Sequence, residues 1–469
     1  MTAGPDTGRG PTGGAVTAGA RSLAGPSTSR ERTAPGADRQ AVAALGLYVV
    51  TLFVFPSDLV IRVVGGQGYV AGLVSLALLA AWATSSLLGA HDPLRVRHPT
   101  RGALAYLAVT SLVCWALTPF HGLTPVQQLA ADRWILMVAG FAGVVLVAAE
   151  GLRSAGSVLT VLRVTVLGAA FCAVVAILQW LFTFDLSGVI RLYTPGFSTD
   201  NLYSAYQARG ALQRVTGTTL HPIELGVVAG MVLPLAVTVA MYDTARSAAR
   251  RWTPVVVIGL AIPASVSRSA VLAVLVAVVV LIVAMPARPR VTALLFLPVG
   301  AFVIALARPG YMRTLAEFIG AGEDDSSVAS RLSDIPMVQR LVAEHPWTGT
   351  GGGTFLPANA LDILDNQYYK SAVEMGLLGM TGVLAWFLVP IVTALVARAR
   401  SRDPLLRALA SALAGSGLAA ALCVATFDGF SFSMFAGLHA LVVGCSGACW
   451  LVAGRETRQP ASSSPPAGS

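Results

Sequence analysis

The chain has 469 residues, of which 55% are apolar and only 12% charged, and its mean hydropathy is +0.71. That balance excludes an ordinary soluble domain, whose charged fraction is about a quarter. A net charge of +9 and a pI near 9.7 would suit a nucleic-acid binder, but the arginines flank apolar runs instead of alternating with aromatics, so the charge reports topology and no nucleic-acid partner is expected.

Residues 1–40 are rich in Gly, Pro, Ser, Thr and Arg without an apolar period, and are expected to be a disordered tail, as is 455–469. Between them, apolar runs start near Ala41, Gly68, Gly102, Asp132, Val158, His221, Thr253, Ser269, Val291, Lys370, Leu406 and Phe432. Each is long enough for the roughly 20 helical residues that cross a ~30 Å hydrocarbon core. The expected fold is therefore an all-α polytopic membrane bundle of about twelve transmembrane helices over 41–454.

Orientation follows from the arginines, because short basic loops stay in the cytoplasm. With the amino terminus inside, alternate connections carry Arg95, Arg97 and Arg101, then Arg153 and Arg163, Arg246, Arg250 and Arg251, Arg288 and Arg290, and Arg398, Arg400 and Arg402. Both termini are then cytoplasmic. The two long segments, 182–220 and 308–369, fall outside, and the second carries Ile335, Val338, Leu341 and Val342 at helical spacing, so a partly helical outer cap is expected. The five cysteines lie in apolar runs without metal-ligand spacing; neither a metal nor a cofactor is expected.

Four outer clusters can carry chemistry. Arg268, in Ser267-Arg268-Ser269, follows the interfacial Trp252 by sixteen residues, a helical rise of ~24 Å, and so falls near or slightly below the outer surface. It either snorkels at a tight turn or faces a wet cavity or an anionic partner. In the segment Arg214 to Glu224, Pro222 and Glu224 suit the first turn of a helix, whereas Arg214 and His221 are not explained by capping and are candidates to line a site. The third cluster comprises Ser330-Arg331, Arg340, and His345-Pro346-Trp347-Thr348-Gly349-Thr350-Gly351-Gly352-Gly353. It lacks the Gly-Lys-Ser/Thr of a phosphate loop, and its glycines are expected to let the backbone turn closely against a neighbour or ligand. In Asp365-Asn366-Gln367-Tyr368, the first two residues either cap the following helix or belong to the site. Several guanidinium groups with one carboxylate at the surface of an apolar bundle form a pattern suited to a diphosphate and to deprotonation of a sugar hydroxyl.

In order along the chain, Arg214 with His221-Pro222, Ser267-Arg268, Ser330-Arg331, the His345 to Gly351 segment, and Asp365-Asn366-Gln367-Tyr368 followed by Glu374-Met375-Gly376 resemble the motifs of the O-antigen ligase and O-antigen polymerase family of bacterial membrane glycosyltransferases. The resemblance covers about Ala41 to Val452. It implies a GT-C-like bundle in the bacterial cytoplasmic membrane that transfers a glycan from an undecaprenyl-diphosphate-linked oligosaccharide donor to a glycan acceptor, without metal, alongside other polysaccharide-assembly membrane proteins. Arg268 and Arg331 then hold the diphosphate, and Asp365 stands where ligases of the family usually carry a His base. The substitution favours a polymerase over a ligase, and requires partial desolvation of Asp365 to raise its basicity. Arg214, His221, Arg340, His345, Asn366 and Tyr368 complete the candidate substrate-binding set. A lipid-linked glycan flippase, a peptidoglycan-type glycan polymerase and a non-catalytic scaffold are the alternatives.

Overall fold

The computed structural model describes residues 35–61, 68–199, 205–209, 212–284, 333–359 and 362–458. Arg331, the apolar run near Val291 and most of both tails lie outside these residues. The helices are α1 (Pro35–Val54), α2 (Val70–Leu87), α3 (Pro99–Ala116), α4 (Pro125–Gly151), α5 (Ala155–Phe182), α6 (Leu186–Leu192), α7 (Pro222–Tyr242), α8 (Ala248–Ala264), α9 (Arg268–Ala284), α10 (Ile335–Glu344), α11 (Gln367–Arg400), α12 (Pro404–Cys423) and α13 (Ser433–Arg458). Every expected apolar run except the one near Val291 coincides with one of them. Among the described residues, sheet is confined to two short antiparallel pairs, β1 (Leu59–Val60) with β2 (Ser198–Thr199), and β3 (Tyr206–Arg209) with β4 (Leu212–Val215).

Local sequence sets the starts of these helices. α3, α4, α7, α10 and α12 all carry a proline in the first turn, where its fixed φ helps and its missing N–H does no harm. Thr124 and Gln127 form a full capping box on α4. Among the described residues, seven helices are long and apolar enough to cross a membrane, namely α2, α4, α5, α7, α11, α12 and α13, and α9 is a shorter apolar helix. The chain is an all-α, multi-pass membrane protein.

Packing follows the rule of lipid-embedded bundles, in which small residues let helices approach. A Cβ added at Gly226 or Gly230 of α7 would lie 2.4 Å from Ala270 or Ala273 of α9, and one at Gly444 of α13 would lie 2.6 Å from Ala148 of α4. α7 and α13 are the most buried spans and α2 the least. α13 packs on α4, α11 and α12, and α7 on α8, α9 and α12.

The loops sort into two ends. At one end Arg153 N donates to Asp38, Arg455 to Arg153 O, Ser401 to Glu456, and Arg163 pairs with Asp243 at 2.7 Å, so the arginine-bearing connections gather there. At the other, Ser57 N donates to Thr218 O, Gln127 to Thr354 O and Gln367 N to Val424 O. At the arginine end, the buried Glu150 carboxylate accepts from Trp82 at 2.8 Å, lies 2.6 Å from His91 Nε2 and 3.3 Å from Arg101, and so ties α2, α3 and α4 together. Removing it would leave several half-buried partners without their acceptor. Glu150→Ala is expected to destabilise the detergent-solubilised protein by about 3 kcal/mol or more, read as a lower unfolding temperature. Arg95→Ala, whose ion pair with Asp92 is 79% and 50% exposed, should leave that temperature nearly unchanged.

Candidate functional site

At the end opposite the arginine-bearing loops, the connection between α8 and α9 makes a tight corner. Val266 sits there at φ +44°, a left-handed conformation that a β-branched side chain adopts only when its surroundings enforce it. The buried Arg214, at the end of β4, donates from Nε to Ser265 O at 3.2 Å. Arg268 opens α9 on the other side of the same corner and is half-buried. The next residue, Ser269, bonds Thr426 at 2.7 Å, and its carbonyl receives Cys423 Sγ, which fastens the corner to the end of α12.

His221 faces this corner from the start of α7. Its Nδ1 accepts from Ile223 N at 3.1 Å, so His221 is itself the N-cap, although capping had not been expected of it. Burial, reinforced by the Arg214 charge, pushes its pKa down to about 4. Both effects favour the neutral ring, the form whose Nδ1 can accept. Glu224 does more than meet the helix dipole. Its Oε2 accepts from Leu220 N at 2.8 Å and its Oε1 from Phe435 N at 2.9 Å, joining the loop before α7 to the first turn of α13.

The large loop reaches the site through a break in α11. Gly376 takes φ +60° and ψ −164°, which interrupts the helical ladder. Leu378 N, which would otherwise donate to Glu374 O, donates to Trp347 O at 3.0 Å, while Glu374 O receives Gly351 N at 2.7 Å and Leu377 N donates to Pro346 O at 2.8 Å. A Cβ on Gly349, which has φ +58°, would lie 2.2 Å from Glu374 O, so only glycine fits that approach. The glycine segment therefore turns closely against a neighbouring helix, as its sequence suggests. Ahead of it, α10 lays Val338, Leu341 and Val342 against Leu364, Val373 and Tyr369, giving the expected helical cap.

The remaining candidates divide. Asn366 is buried and caps α11, accepting from Tyr368 N at 2.9 Å and Tyr369 N at 3.3 Å. Tyr368 donates its hydroxyl to Ala421 O at 2.7 Å. Asp365, just ahead, is exposed, so burial does not supply the desolvation the sequence argument asked for. Arg340 is exposed on α10, and the exposed His345 meets His121 edge to face at 4.6 Å. Arg214, His221 and Arg268 thus share one corner, Asp365, Asn366 and Tyr368 stand beside the end of α12, and Arg340 and His345 belong to the cap.

Sequence reasoning missed a cleft of about 280 Å³ beside these groups. Its charged and amide lining is Asp58, Arg133, Gln367, Lys370, Glu374 and Asp428, set among apolar and hydroxyl side chains. Lys370 Nζ lies 2.5 Å from Asp428 and 4.0 Å from Glu374. One signal was present, since Lys370 is the sole lysine in the chain.

Residues 253–384, from the start of α8 to the middle of α11, match the family model of O-antigen ligase. No curated protein matches the chain. The match covers little more than a quarter of the chain and makes that segment, which holds Arg268 and Glu374, similar to O-antigen ligase.

Two outcomes follow from the geometry. His221 has its pKa lowered on folding, so its contribution to stability is complete above about 6.5 and is lost as pH falls toward 4. The unfolding temperature should decline through that window and decline less in His221→Asn, which keeps a capping acceptor but does not titrate. Gly376→Ala should weaken the seat of the large loop by about 1–3 kcal/mol, measured as faster protease cleavage between Arg340 and Leu356.

Proposed function

We propose that this protein transfers an oligosaccharide from an undecaprenyl diphosphate carrier to a hydroxyl of a glycan acceptor, on the outer face of a bacterial cytoplasmic membrane and with both termini inside. The observation that carries the reading is the pairing of Arg214 and Arg268 on the two sides of one strained corner, at the end of the bundle away from the arginine-bearing loops. Guanidinium groups hold a diphosphate through planar, permanently charged contacts. The positive-inside rule makes this end external.

In the proposed reaction the acceptor oxygen attacks the anomeric carbon of the donor sugar, and the bond from that carbon to the carrier oxygen breaks. The electron pair leaves with undecaprenyl diphosphate, whose growing charge Arg268 and Arg331 stabilise together with Arg214. The acceptor proton passes to Asp365 as general base. Arg340, His345, His221, Asn366 and Tyr368 frame the surrounding surface, three of them by holding the cap or a helix start. An aspartate in the base position fits chain extension better than transfer to a lipid anchor, so polymerisation is the preferred form of the activity. An ion-coupled carrier would instead place its charges near the middle of the bilayer. The ion-paired clusters around Glu150 and around Lys370 with Asp428 lie at opposite ends of the bundle.

Purified protein in nanodiscs, supplied with lipid-linked oligosaccharide from the same cell, should give longer or transferred chains on gels. Arg268→Ala should abolish product, and Asp365→Ala should slow it by about 10²–10⁴, both without loss of folded, membrane-inserted protein. Normal turnover in folded Arg268→Ala would remove the diphosphate assignment.

A further inference from the structure

The cleft lined by Arg133, Lys370, Glu374 and Asp428 is not used by the groups placed around the diphosphate, yet it adjoins them. Leu220 and Gln367 line it, and these residues are the chain neighbours of His221 and Asn366. Its polar atoms are unusual for a buried surface. Glu374 is fully buried, and its Oε1 accepts from Phe355 N at 3.3 Å. The Gly353 amide also attracts the carboxylate, but Oε2 has no hydrogen-bond partner among the described residues. The same is true of Asp428 Oδ1, whose other oxygen holds Lys370, and of Arg133 Nε. Buried polar atoms are ordinarily satisfied, and a carboxylate oxygen is satisfied by an O–H or N–H donor.

The remaining lining supplies flat apolar surface and hydroxyls. Trp134 and Phe430 meet edge to face at 5.2 Å, and Ser431 and Ser433 stand at the same wall. The indole N–H of Trp134 is already given to Ser111 at 3.0 Å, so its ring acts here as an apolar face. Carboxylate oxygens beside a guanidinium, set against aromatic faces, form the donor and acceptor pattern of vicinal hydroxyls on a sugar ring. A diphosphate is disfavoured by the three carboxylates of the lining, Asp58, Glu374 and Asp428. The volume of about 280 Å³ lies at the lower end of small-molecule sites and suits one ring.

We propose that this cleft seats one uncharged pyranose ring of the acceptor glycan, with Glu374 Oε2 and Asp428 Oδ1 accepting from adjacent sugar hydroxyls and Trp134 and Phe430 covering its apolar face. Lys370 acts as a positioning residue that keeps both carboxylates in place. The assignment of the ring to the acceptor rests on the transfer reaction proposed above, whereas the sugar seat itself does not.

The test compares two probes on the full chain in nanodiscs by calorimetry, namely the diphosphate-free oligosaccharide released by mild acid from the cell's lipid-linked pool, and geranyl diphosphate. Glu374→Gln and Asp428→Asn should each weaken oligosaccharide binding by about tenfold or more, the equivalent of one hydrogen bond to a charged group, and leave geranyl diphosphate binding unchanged. Arg268→Ala should do the reverse. Oligosaccharide affinity unchanged in both folded variants overturns the proposal, as does a loss confined to geranyl diphosphate. Should either variant misfold, amide exchange in the wild-type chain decides. Slower exchange of Phe430, Ser431 and Phe432 with the oligosaccharide, and not with geranyl diphosphate, supports the seat, and no protection there overturns it. An absence of transfer activity with these binding losses intact removes the acceptor role and the reaction but keeps the sugar seat. Normal transfer with normal binding in the variants removes the seat alone.

Discussion

One end of this molecule depends on a helix that breaks where a loop completes it. At Gly376 the ladder of α11 opens, and the groups it releases, Glu374 O and the amides of Leu377 and Leu378, are taken up by Gly351 N, Pro346 O and Trp347 O. In a bilayer no water is at hand to satisfy such groups, so irregular backbone survives only where protein replaces the missing partners. The loop is therefore part of the helix's hydrogen bonding rather than an ornament above it. This exchange fixes the Gly349 to Thr354 segment against α4 and α11, and so makes one wall of the cleft.

Around that exchange the polar chemistry is segregated by height. One end of the bundle holds the arginine-bearing connections and the Glu150 cluster. The other holds Arg214, Arg268, Lys370 and the carboxylates that neighbour them. Between them the spans are apolar and are brought close by glycine and alanine, as between α7 and α9. The strained Val266 and the caps at His221 and Asn366 lie at this second end, where helices begin or finish. Such a division suits a protein whose chemistry is done at a membrane surface.

Much of the architecture was legible in the sequence because it rests on local patterns. Apolar run length gave the helices, prolines and small polar residues marked their starts, and the spacing of Val338, Leu341 and Val342 gave α10. The glycine-rich segment announced close backbone approach, though not which helix it approaches. The candidate site was legible only as separate residues. Arg214 and Arg268 each stand out in the sequence, but their shared corner does not, because a contact between β4 and the α8–α9 corner leaves no periodic trace. His221 was not recognised as a cap, since histidine is outside the usual capping set. The cleft was missed for the same reason on a larger scale: Lys370 and Asp428 are 58 positions apart, and each alone looks like an ordinary residue near a helix end.

Glu374 has two allegiances. Its carbonyl holds Gly351, and its carboxylate both receives Phe355 N and faces the cleft. Anything that binds the carboxylate and anything that releases the carbonyl therefore act on one residue, and thermodynamic linkage makes their influence reciprocal. Whatever effect an occupant of the cleft has on the docking of the glycine segment, the docking of that segment has on the occupant in equal measure, so recognition and enclosure share a single equilibrium at this position.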